Sequence, residues 1–193
     1  MSELNFRRKG KMVIGLTSAI SGGKSTALKV FEDLGAEVIC CDKLSKKYFE
    51  VFKQEIYERF NSLGRAEIAK EVFKDDIKRK WLENLLHPLI FKEAQEIISA
   101  SKKNIIVFDI PLLFETGLEN SFDLTLCVYT DDKIRLARAL EKGFKRDDFL
   151  KRDLKQIPLC QKAQKADIVI YNNGDRKTLE EKIKRFFYIL NII

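Results

Sequence analysis

The chain has 193 residues but only one histidine, His87, and four cysteines, Cys40, Cys41, Cys127 and Cys160. The cysteines form no Cys-x-x-Cys pair, and the histidine is distant from each of them in sequence. Zinc sites need closely spaced Cys and His ligands, so this composition argues against a zinc site. Cysteines used as small apolar residues are typical of a reduced compartment, which predicts a cytoplasmic protein.

Long hydrophobic runs are also missing. The longest apolar stretches, 105–114 and 186–193, are shorter than the ~18–20 residues that a membrane-spanning helix needs. Residues 1–11 are polar and basic and lack the small-residue cleavage site of a secretory signal. Internal repeats and linkers rich in Gly, Ser or Pro are absent as well. We therefore expect no membrane partner, a flexible basic extension over 1–11 and a single domain over 12–193.

The charge of the chain is moderately basic. It carries 36 Lys and Arg against 29 Asp and Glu, a formal net charge of +7. Such a surplus is compatible with nucleic acid or with polyanionic small molecules as ligands. The basic residues are interspersed with acidic ones, and the only dense basic run is 7–11. This distribution favours a small polyanionic substrate over nucleic acid.

Short apolar runs alternate with stretches of helical periodicity. Apolar runs of strand length occur at 12–16, 37–41, 104–109, 124–129 and 168–171. Helical patterns occur at 24–34, 46–60, 65–73, 75–86, 88–101, 131–142, 147–164 and 177–190, with Pro88 predicted at a helix start. The alternation predicts an α/β fold with a five-stranded parallel sheet flanked by helices. The segment 43–103 contains no convincing strand, so we predict a helical insertion there.

The first predicted strand leads into a loop with the features of a phosphate-binding site. Residues 15–26 read Gly-Leu-Thr-Ser-Ala-Ile-Ser-Gly-Gly-Lys-Ser-Thr. In a P-loop the backbone amides cradle phosphates, the lysine reaches the β- and γ-phosphates, and the serine hydroxyl binds Mg²⁺. Lys24 and Ser25 have these positions, but the strict pattern requires glycine where Ser18 stands. The strand–loop–helix context favours a P-loop over the alternative, a Gly/Ser turn with a solvated lysine.

Other candidate residues follow the strands, because ligands of such folds bind at the carboxyl ends of the strands. Asp42 follows the second strand and is our candidate for orienting or deprotonating an attacking hydroxyl; capping of the next helix is the alternative, and one residue could do both. Asp109 ends the third strand, where a carboxylate could act on Mg²⁺. Glu115 lies either against a substrate or on a plain loop.

Taken in order from Met12 onward, these motifs resemble the dephospho-coenzyme A kinase family. That family's loop reads Gly-Leu-Thr-Gly-Gly-Ile-Gly-Ser-Gly-Lys-Ser-Thr, from which this chain departs at Ser18, Ala19, Ser21 and Gly22. Further matches, each weak alone, are His87-Pro88, the Pro-Leu-Leu-Phe-Glu of 111–115, Arg152 with Gln156, Ala166-Asp167, Asn172 and Gly174.

The resemblance implies a P-loop kinase fold with a small helical lid at about 138–165 and an acceptor-binding role for 43–103. It implies transfer of a phosphoryl group from ATP, with Mg²⁺, to the ribose 3′-hydroxyl of dephospho-coenzyme A, the last step of coenzyme A biosynthesis. The implied catalytic residues are Lys24, Asp42, Arg138 and Lys142. The implied nucleotide-binding residues are Ser21, Gly22, Gly23, Lys24, Ser25, Thr26, Arg152, Asn172 and Gly174. The implied substrate-binding residues are Thr17, Asp42, His87, Pro111, Leu112 and Glu115, and the implied metal ligands are Ser25 and Asp109.

Two departures from the family pattern leave alternatives open. The loop is poor in glycine, and Arg138 is followed four residues later by Lys142 where the family usually has a second arginine. Lysine keeps the charge but loses the bidentate fork of arginine. A P-loop kinase for another nucleotide or small metabolite, or a non-catalytic nucleotide-binding relative, therefore remains an alternative. For the oligomeric state we expect a monomer or a weak homo-oligomer.

Overall fold

A computed structural model describes residues 4–61 and 64–192, and in this part of the chain a five-stranded sheet forms the centre of the larger of two compact units. This unit comprises the described residues of 1–39 and 101–193, and the smaller unit comprises Cys40–Ala100. The strands are β1 (Met12–Thr17), β2 (Glu37–Cys40), β3 (Ile105–Asp109), β4 (Leu124–Tyr129) and β5 (Ile168–Tyr171).

The strand order is β2-β3-β1-β4-β5. Strand β1 pairs in parallel with β3 and β4, and β4 pairs in parallel with β5. The connection from β1 to β2 runs toward one edge of the sheet, whereas the connection from β3 to β4 runs toward the opposite edge. Adjacent strands whose connections diverge in this way form the crevice in which parallel α/β folds bind ligands. The carboxyl ends of β1 and β3 therefore define where the site is expected.

Helices cover the sheet of the larger unit. They are α1 (Lys24–Asp33), α6 (Asp132–Glu141), α7 (Arg146–Asp153), α8 (Leu159–Lys165) and α9 (Arg176–Leu190). On one face α1 packs against α9, with the ring of Phe31 lying 6.3 Å from that of Phe186 and 6.4 Å from that of Phe187. Burial of these apolar faces against β1 and β4 forms the main core. Among the described residues, no helix combines the length and apolar character needed to cross a membrane.

The smaller unit is helical. It contains α2 (Cys41–Val51), α3 (Lys53–Phe60), α4 (Arg65–Lys74) and α5 (Asp76–Ala100). The expected break before Pro88 is wrong, because α5 continues through this proline as one helix of 25 residues. A proline inside a helix removes one hydrogen bond. The buried side chains of Leu86, Ile90, Ala94 and Ile98 continue at four-residue spacing across it, and their burial outweighs that loss.

Two other predicted helices are each divided in two. The pattern at 46–60 is interrupted at Phe52, and helix α2 begins earlier than predicted, directly after β2. The pattern at 147–164 is interrupted between α7 and α8, where Pro158 precedes the first residue of α8. Proline disfavours helical conformation in the residue before it, which accounts for the second interruption.

The N-terminal segment packs on the larger unit. For residues 4–11 the expectation of a flexible extension is wrong, whereas residues 1–3 lie outside the described part of the chain. Phe6 is 2% exposed, and its ring lies 5.0 Å from that of Phe108 and 5.1 Å from that of Phe122. The amide of Phe6 donates to the carbonyl of Ser121 (2.9 Å), and the Arg7 guanidinium donates to the carbonyl of Phe122 (2.7 Å).

We expect Phe6→Ala to lower the free energy of unfolding by about 3–5 kcal/mol, because it removes a buried ring that two aromatic neighbours contact. The exposed neighbour Lys9 serves as the control, and Lys9→Ala should change the free energy by less than about 0.5 kcal/mol. Urea unfolding followed by circular dichroism measures both. Equal stability of the two variants would show that the segment contributes nothing to the fold.

Candidate active site

The loop between β1 and α1 has the geometry of a phosphate-binding loop. Lys24, Ser25 and Thr26 form the first turn of α1, and Gly23 immediately before them has a φ of 99°. Ser21 has a φ of 58°. The family that the sequence resembles has glycine at this position of its P-loop. A left-handed conformation costs a non-glycine residue about 1–2 kcal/mol, so this serine is held there by its surroundings.

The structure explains how the loop accommodates Ser18. This side chain is 2% exposed, and its hydroxyl donates to the carbonyl of Val128 on β4 at 2.6 Å. The hydroxyl oxygen lies over Gly22, where an added Cβ would be only 2.2 Å from it. The Gly22 amide donates to the carbonyl of Ala19 at 3.0 Å and closes the turn. Serine at 18 and glycine at 22 therefore fit each other, and the hydroxyl ties the loop to the sheet.

The same loop is held from its other side by the ends of β4 and β5. The Thr130 hydroxyl donates to the Gly22 carbonyl at 2.8 Å, and the Asn172 side-chain amide donates to the same carbonyl at 3.0 Å. Both side chains are buried. A Cβ at Gly23 would lie 2.1 Å from the Asn172 amide nitrogen, so glycine is required there on steric grounds too. The side chain of Asn172 thus supports the loop, and its predicted contact with a nucleotide stays a prediction.

An ion pair crosses the crevice between β1 and β3. The Lys24 ammonium group donates to the Asp109 carboxylate, which is 2% exposed. Residue Asp109 lies opposite Leu16 in the β1–β3 register, so the pair lies at the predicted switch point. A buried carboxylate requires a cationic partner. Here Lys24 supplies it, and a bound phosphate or cation could replace one member of the pair.

Arg138 is bound to the turn that follows β5. It is in the last turn of α6, and its guanidinium donates to the carbonyls of Asn172 (3.1 Å) and Gly174 (2.8 Å). The structure therefore brings together three of the predicted residues, Arg138, Asn172 and Gly174. Lys142 follows α6 and is exposed, as is Arg152 in α7, whose guanidinium carbon lies 5.6 Å from the centre of the Phe144 ring. The catalytic roles of Arg138 and Lys142 stay predictions.

The segment after β3 is anchored by four polar contacts. The Thr17 hydroxyl donates to the Pro111 carbonyl at 3.1 Å, and the Lys162 ammonium group donates to the same carbonyl at 2.8 Å. Lys162 also pairs with Glu115 at 2.8 Å, and this carboxylate accepts a bond from the Ile157 amide at 3.1 Å. These contacts connect Thr17 and Glu115 through Pro111 and Lys162, and the substrate-binding role of Thr17, Pro111 and Glu115 stays a prediction. Leu112, between them, is 37% exposed.

Two residues with structural roles at the site were not predicted: Lys162 and Arg135. Thr130 directly follows β4, at one of the strand ends where the sequence predicts residues of the ligand-binding edge. Lys162 is fully buried although it lies in a basic helical segment, where solvent exposure is the ordinary expectation. Burial of the Cys127 thiol raises its pKa to about 12. The positive charge of Lys162 lowers this pKa, but its effect is the smaller of the two. Arg135 is similarly hidden in a charged helix, at 1% exposure.

Two predicted residues belong to the smaller unit. Asp42 is exposed in the first turn of α2, where its negative charge stabilises the positive end of the helix dipole. His87 lies within α5, with its ring 5.5 Å from that of Phe91. Burial lowers the pKa of His87 below its usual value, and the charge of Glu83 opposes this only in part.

Magnesium fits the chemistry of the residues around Lys24. The predicted ligands, Ser25 and Asp109, offer hydroxyl and carboxylate oxygens, which hard cations such as Mg²⁺ prefer. The Asp109 carboxylate is buried and already binds one cationic group, that of Lys24. A cation bound there would compete with Lys24 for this carboxylate unless the phosphates of a bound ligand supply further negative charge.

Comparison with known proteins agrees with this geometry. A family model described as dephospho-CoA kinase matches residues 12–178, which include the loop, the Lys24–Asp109 pair and the turn after β5. The chain belongs to the dephospho-CoA kinase family. The resemblance noted in the sequence is thus confirmed.

Individual relatives cover nearly the whole chain. A dephospho-CoA kinase of Leptospira interrogans is 32% identical and covers 94% of each chain. Among solved structures, TT1252 from Thermus thermophilus is 30% identical over 93% of this chain and 98% of its own, with a TM-score of 0.85. The dephospho-CoA kinase from Campylobacter jejuni is 24% identical over 92% and 96% of the two chains, with a TM-score of 0.68, which supports the fold. The predicted P-loop kinase fold is confirmed.

We expect Gly22→Ala to weaken ATP binding, because the new methyl group would lie 2.2 Å from the Ser18 hydroxyl and 3.0 Å from the Ala19 carbonyl. Overpacking of this kind costs about 1–3 kcal/mol, a factor of about 5–150 in affinity. Isothermal titration with ATP measures the change. The double variant Ser18→Gly/Gly22→Ala should recover part of the affinity, since only the first contact is relieved.

The matched control for this substitution is Gly64→Ala. A Cβ at Gly64 would meet the Glu67 side chain at 3.5 Å, an ordinary contact. Undiminished ATP affinity in Gly22→Ala would contradict the tight packing described for the loop.

We expect the stability of the protein to fall as the pH is lowered from about 7.5 to about 5.5, in part because of His87. Burial lowers its pKa in the folded state, so the unfolded chain takes up the proton first, near pH 6.5. The contribution is fully present above that pH and is lost as the pH falls toward the folded-state pKa. Thermal unfolding of wild type and His87→Gln across this range tests the idea. If the two proteins lose stability in parallel, His87 is not responsible.

Proposed function

We propose that this chain transfers the γ-phosphoryl group of ATP to the ribose 3′-hydroxyl of dephospho-coenzyme A, giving coenzyme A and ADP. Membership of the dephospho-CoA kinase family supports both the acceptor and ATP as the donor. The observation that carries the proposal is the loop at 18–23 with Lys24 behind it, at the crevice between β1 and β3. The alternative functions gain no support from these relatives.

The loop would bind the ATP phosphates through its amides and the positive end of α1. Phosphoryl transfer depends mainly on positioning and on neutralising charge. The ammonium group of Lys24 is already directed into the crevice by Asp109 and would contact the phosphate oxygens there. Because Ser18, Thr130 and Asn172 fix the loop before ATP arrives, little reorganisation is needed on binding.

Mg²⁺ would be held by the Ser25 hydroxyl and would be oriented by the Asp109 carboxylate. When bound, the ion supplies charge neutralisation on the phosphate oxygens. Lys24 and the metal would share the negative charge of Asp109, which keeps this buried carboxylate paired throughout.

For the acceptor, the resemblance assigns Asp42 as the group that orients or deprotonates the attacking hydroxyl. The anchored residues Thr17, Pro111 and Glu115 form our second candidate for substrate contact, with Leu112 exposed between them. His87 and the segment 43–103 keep their predicted acceptor-binding role as part of this proposal.

We further propose that α7 and α8 belong to a lid at about 138–165, which closes over the phosphates and excludes water. Arg138, Lys142 and Arg152 would supply positive charge to it, while Arg138 also orders the turn that contains Gly174. A cytoplasmic location and a monomeric or weakly associating state complete the proposal.

The decisive experiment follows coenzyme A formation from dephospho-coenzyme A, ATP and Mg²⁺, with wild type and Lys24→Ala. We expect turnover in wild type and a loss of about 10³-fold or more in the variant, because the main phosphate charge partner is gone. Lys29→Ala is the matched control, since Lys29 lies on the same helix, is 58% exposed and pairs with Glu32 and Asp33. It should retain activity within about twofold.

Each other outcome has a definite meaning. ATP binding without coenzyme A formation would overturn the proposed acceptor and favour a different small metabolite. Absence of ATP binding would mean that the glycine-poor loop no longer functions. Equal activity of Lys24→Ala and Lys29→Ala would contradict the role given to Lys24.

A further inference from the structure

The buried guanidinium of Arg135 links three segments of the larger unit. It is bound in bidentate fashion by the Asp153 carboxylate, at 2.6 and 2.9 Å. It also donates to the carbonyl of Ile20 in the loop at 3.3 Å and to the Asp132 carboxylate at 2.7 Å. Asp153 is the last residue of α7, and Asp132 is the first of α6. One side chain therefore connects the phosphate loop directly with α7.

Stability alone does not account for this arrangement. Replacing a buried ion pair by apolar residues is often neutral or stabilising, because desolvation offsets the attraction. In the described part of the chain the Nε atom of Arg135 is buried and has no hydrogen-bond partner, which adds to that cost. Desolvation opposes the charged form of this guanidinium, yet its two carboxylate partners raise its pKa overall. The Arg135–Asp153 pair is thus a strong and directional connection, and it stabilises the core less efficiently than apolar side chains would.

Both ends of the connection lie next to groups with a proposed role. Ile20 immediately precedes Ser21, the loop residue in left-handed conformation. Asp153 immediately follows Arg152, a predicted phosphate contact, and the chain beyond it reaches Ile157, whose amide donates to Glu115. A shift of α7 would therefore displace Arg135 and, through its hydrogen bond, the Ile20 carbonyl. A change in the loop would displace α7 through the same contacts.

We propose that Arg135 is a positioning residue that couples the phosphate loop to α7 through Asp153, so that ATP in the loop orders α7 and an ordered α7 strengthens ATP binding. This rests on the proposed function in one respect, the binding of ATP phosphates by the loop. Such coupling is reciprocal by thermodynamic necessity.

The test compares Asp153→Asn with Asp132→Asn. Each variant removes one negatively charged partner of the Arg135 guanidinium, but only Asp153 connects that guanidinium to α7. Hydrogen exchange is measured with and without ATP on the peptides covering 18–24 and 146–153. The Michaelis constants for ATP and for dephospho-coenzyme A, and kcat, are measured in parallel.

In wild type and in Asp132→Asn we expect ATP to slow exchange in both peptides. In Asp153→Asn we expect ATP to protect the loop peptide but no longer the α7 peptide. We also expect the Michaelis constant for ATP to rise about tenfold, with the constant for dephospho-coenzyme A and kcat within about twofold of wild type. A purely structural defect would instead lower kcat and loosen both peptides without ATP.

If Asp153→Asn fails to fold, Arg135→Lys provides the same test, because lysine keeps the buried charge but loses the fork that reaches both Asp153 and Ile20. Coupled protection that persists in both variants would overturn the inference, as would protection of the loop alone in wild type. Failure of the proposed acceptor gives a different result from failure of this inference. Wild type would then bind ATP and show protection of both peptides but would form no coenzyme A.

Discussion

The carbonyl group of Gly22 is the point on which the site depends. It accepts hydrogen bonds from Thr130 at the end of β4 and from Asn172 at the end of β5. Because one backbone oxygen receives both, the phosphate loop is aligned with two strands that are distant from it in sequence. The Ser18 hydroxyl adds a third connection, to Val128. The loop is thereby fixed beside the crevice, and Lys24 reaches Asp109 across it.

Much of this could be predicted from local patterns. The strands are short apolar runs, and the loop with Lys24 follows the first of them, so fold and phosphate site could be inferred together. Asp109 and Thr17 were identified because the carboxyl ends of parallel strands meet at one edge of a sheet. The glycine-poor loop departs from the family pattern. The fit of a serine at 18 over a glycine at 22, which accommodates this departure, depends on a distance that no sequence pattern contains.

The residues that escaped prediction are charged and buried. Lys162 and Arg135 lie in helices that also carry exposed charged residues. Glu115 is 47 positions from Lys162 and Asp153 is 18 positions from Arg135, and only Asp132 is close in sequence to the arginine it pairs with. Only the packing of those elements shows that the charges are neutralised. The continuity of α5 through Pro88 has the same origin, since burial of its apolar face overrides a local helix-breaking signal.

The packing of Phe6 has a consequence for how the chain is made. Its neighbour Arg7 bonds to Phe122, 115 positions later in sequence. At synthesis rates of about 5–20 residues per second, the partners of this first segment emerge on the order of ten seconds after it. During that interval the phenylalanine ring has no native place to pack. Such long-range contacts form late in folding, so the N-terminal segment packs only after Phe108 and Phe122 are in place.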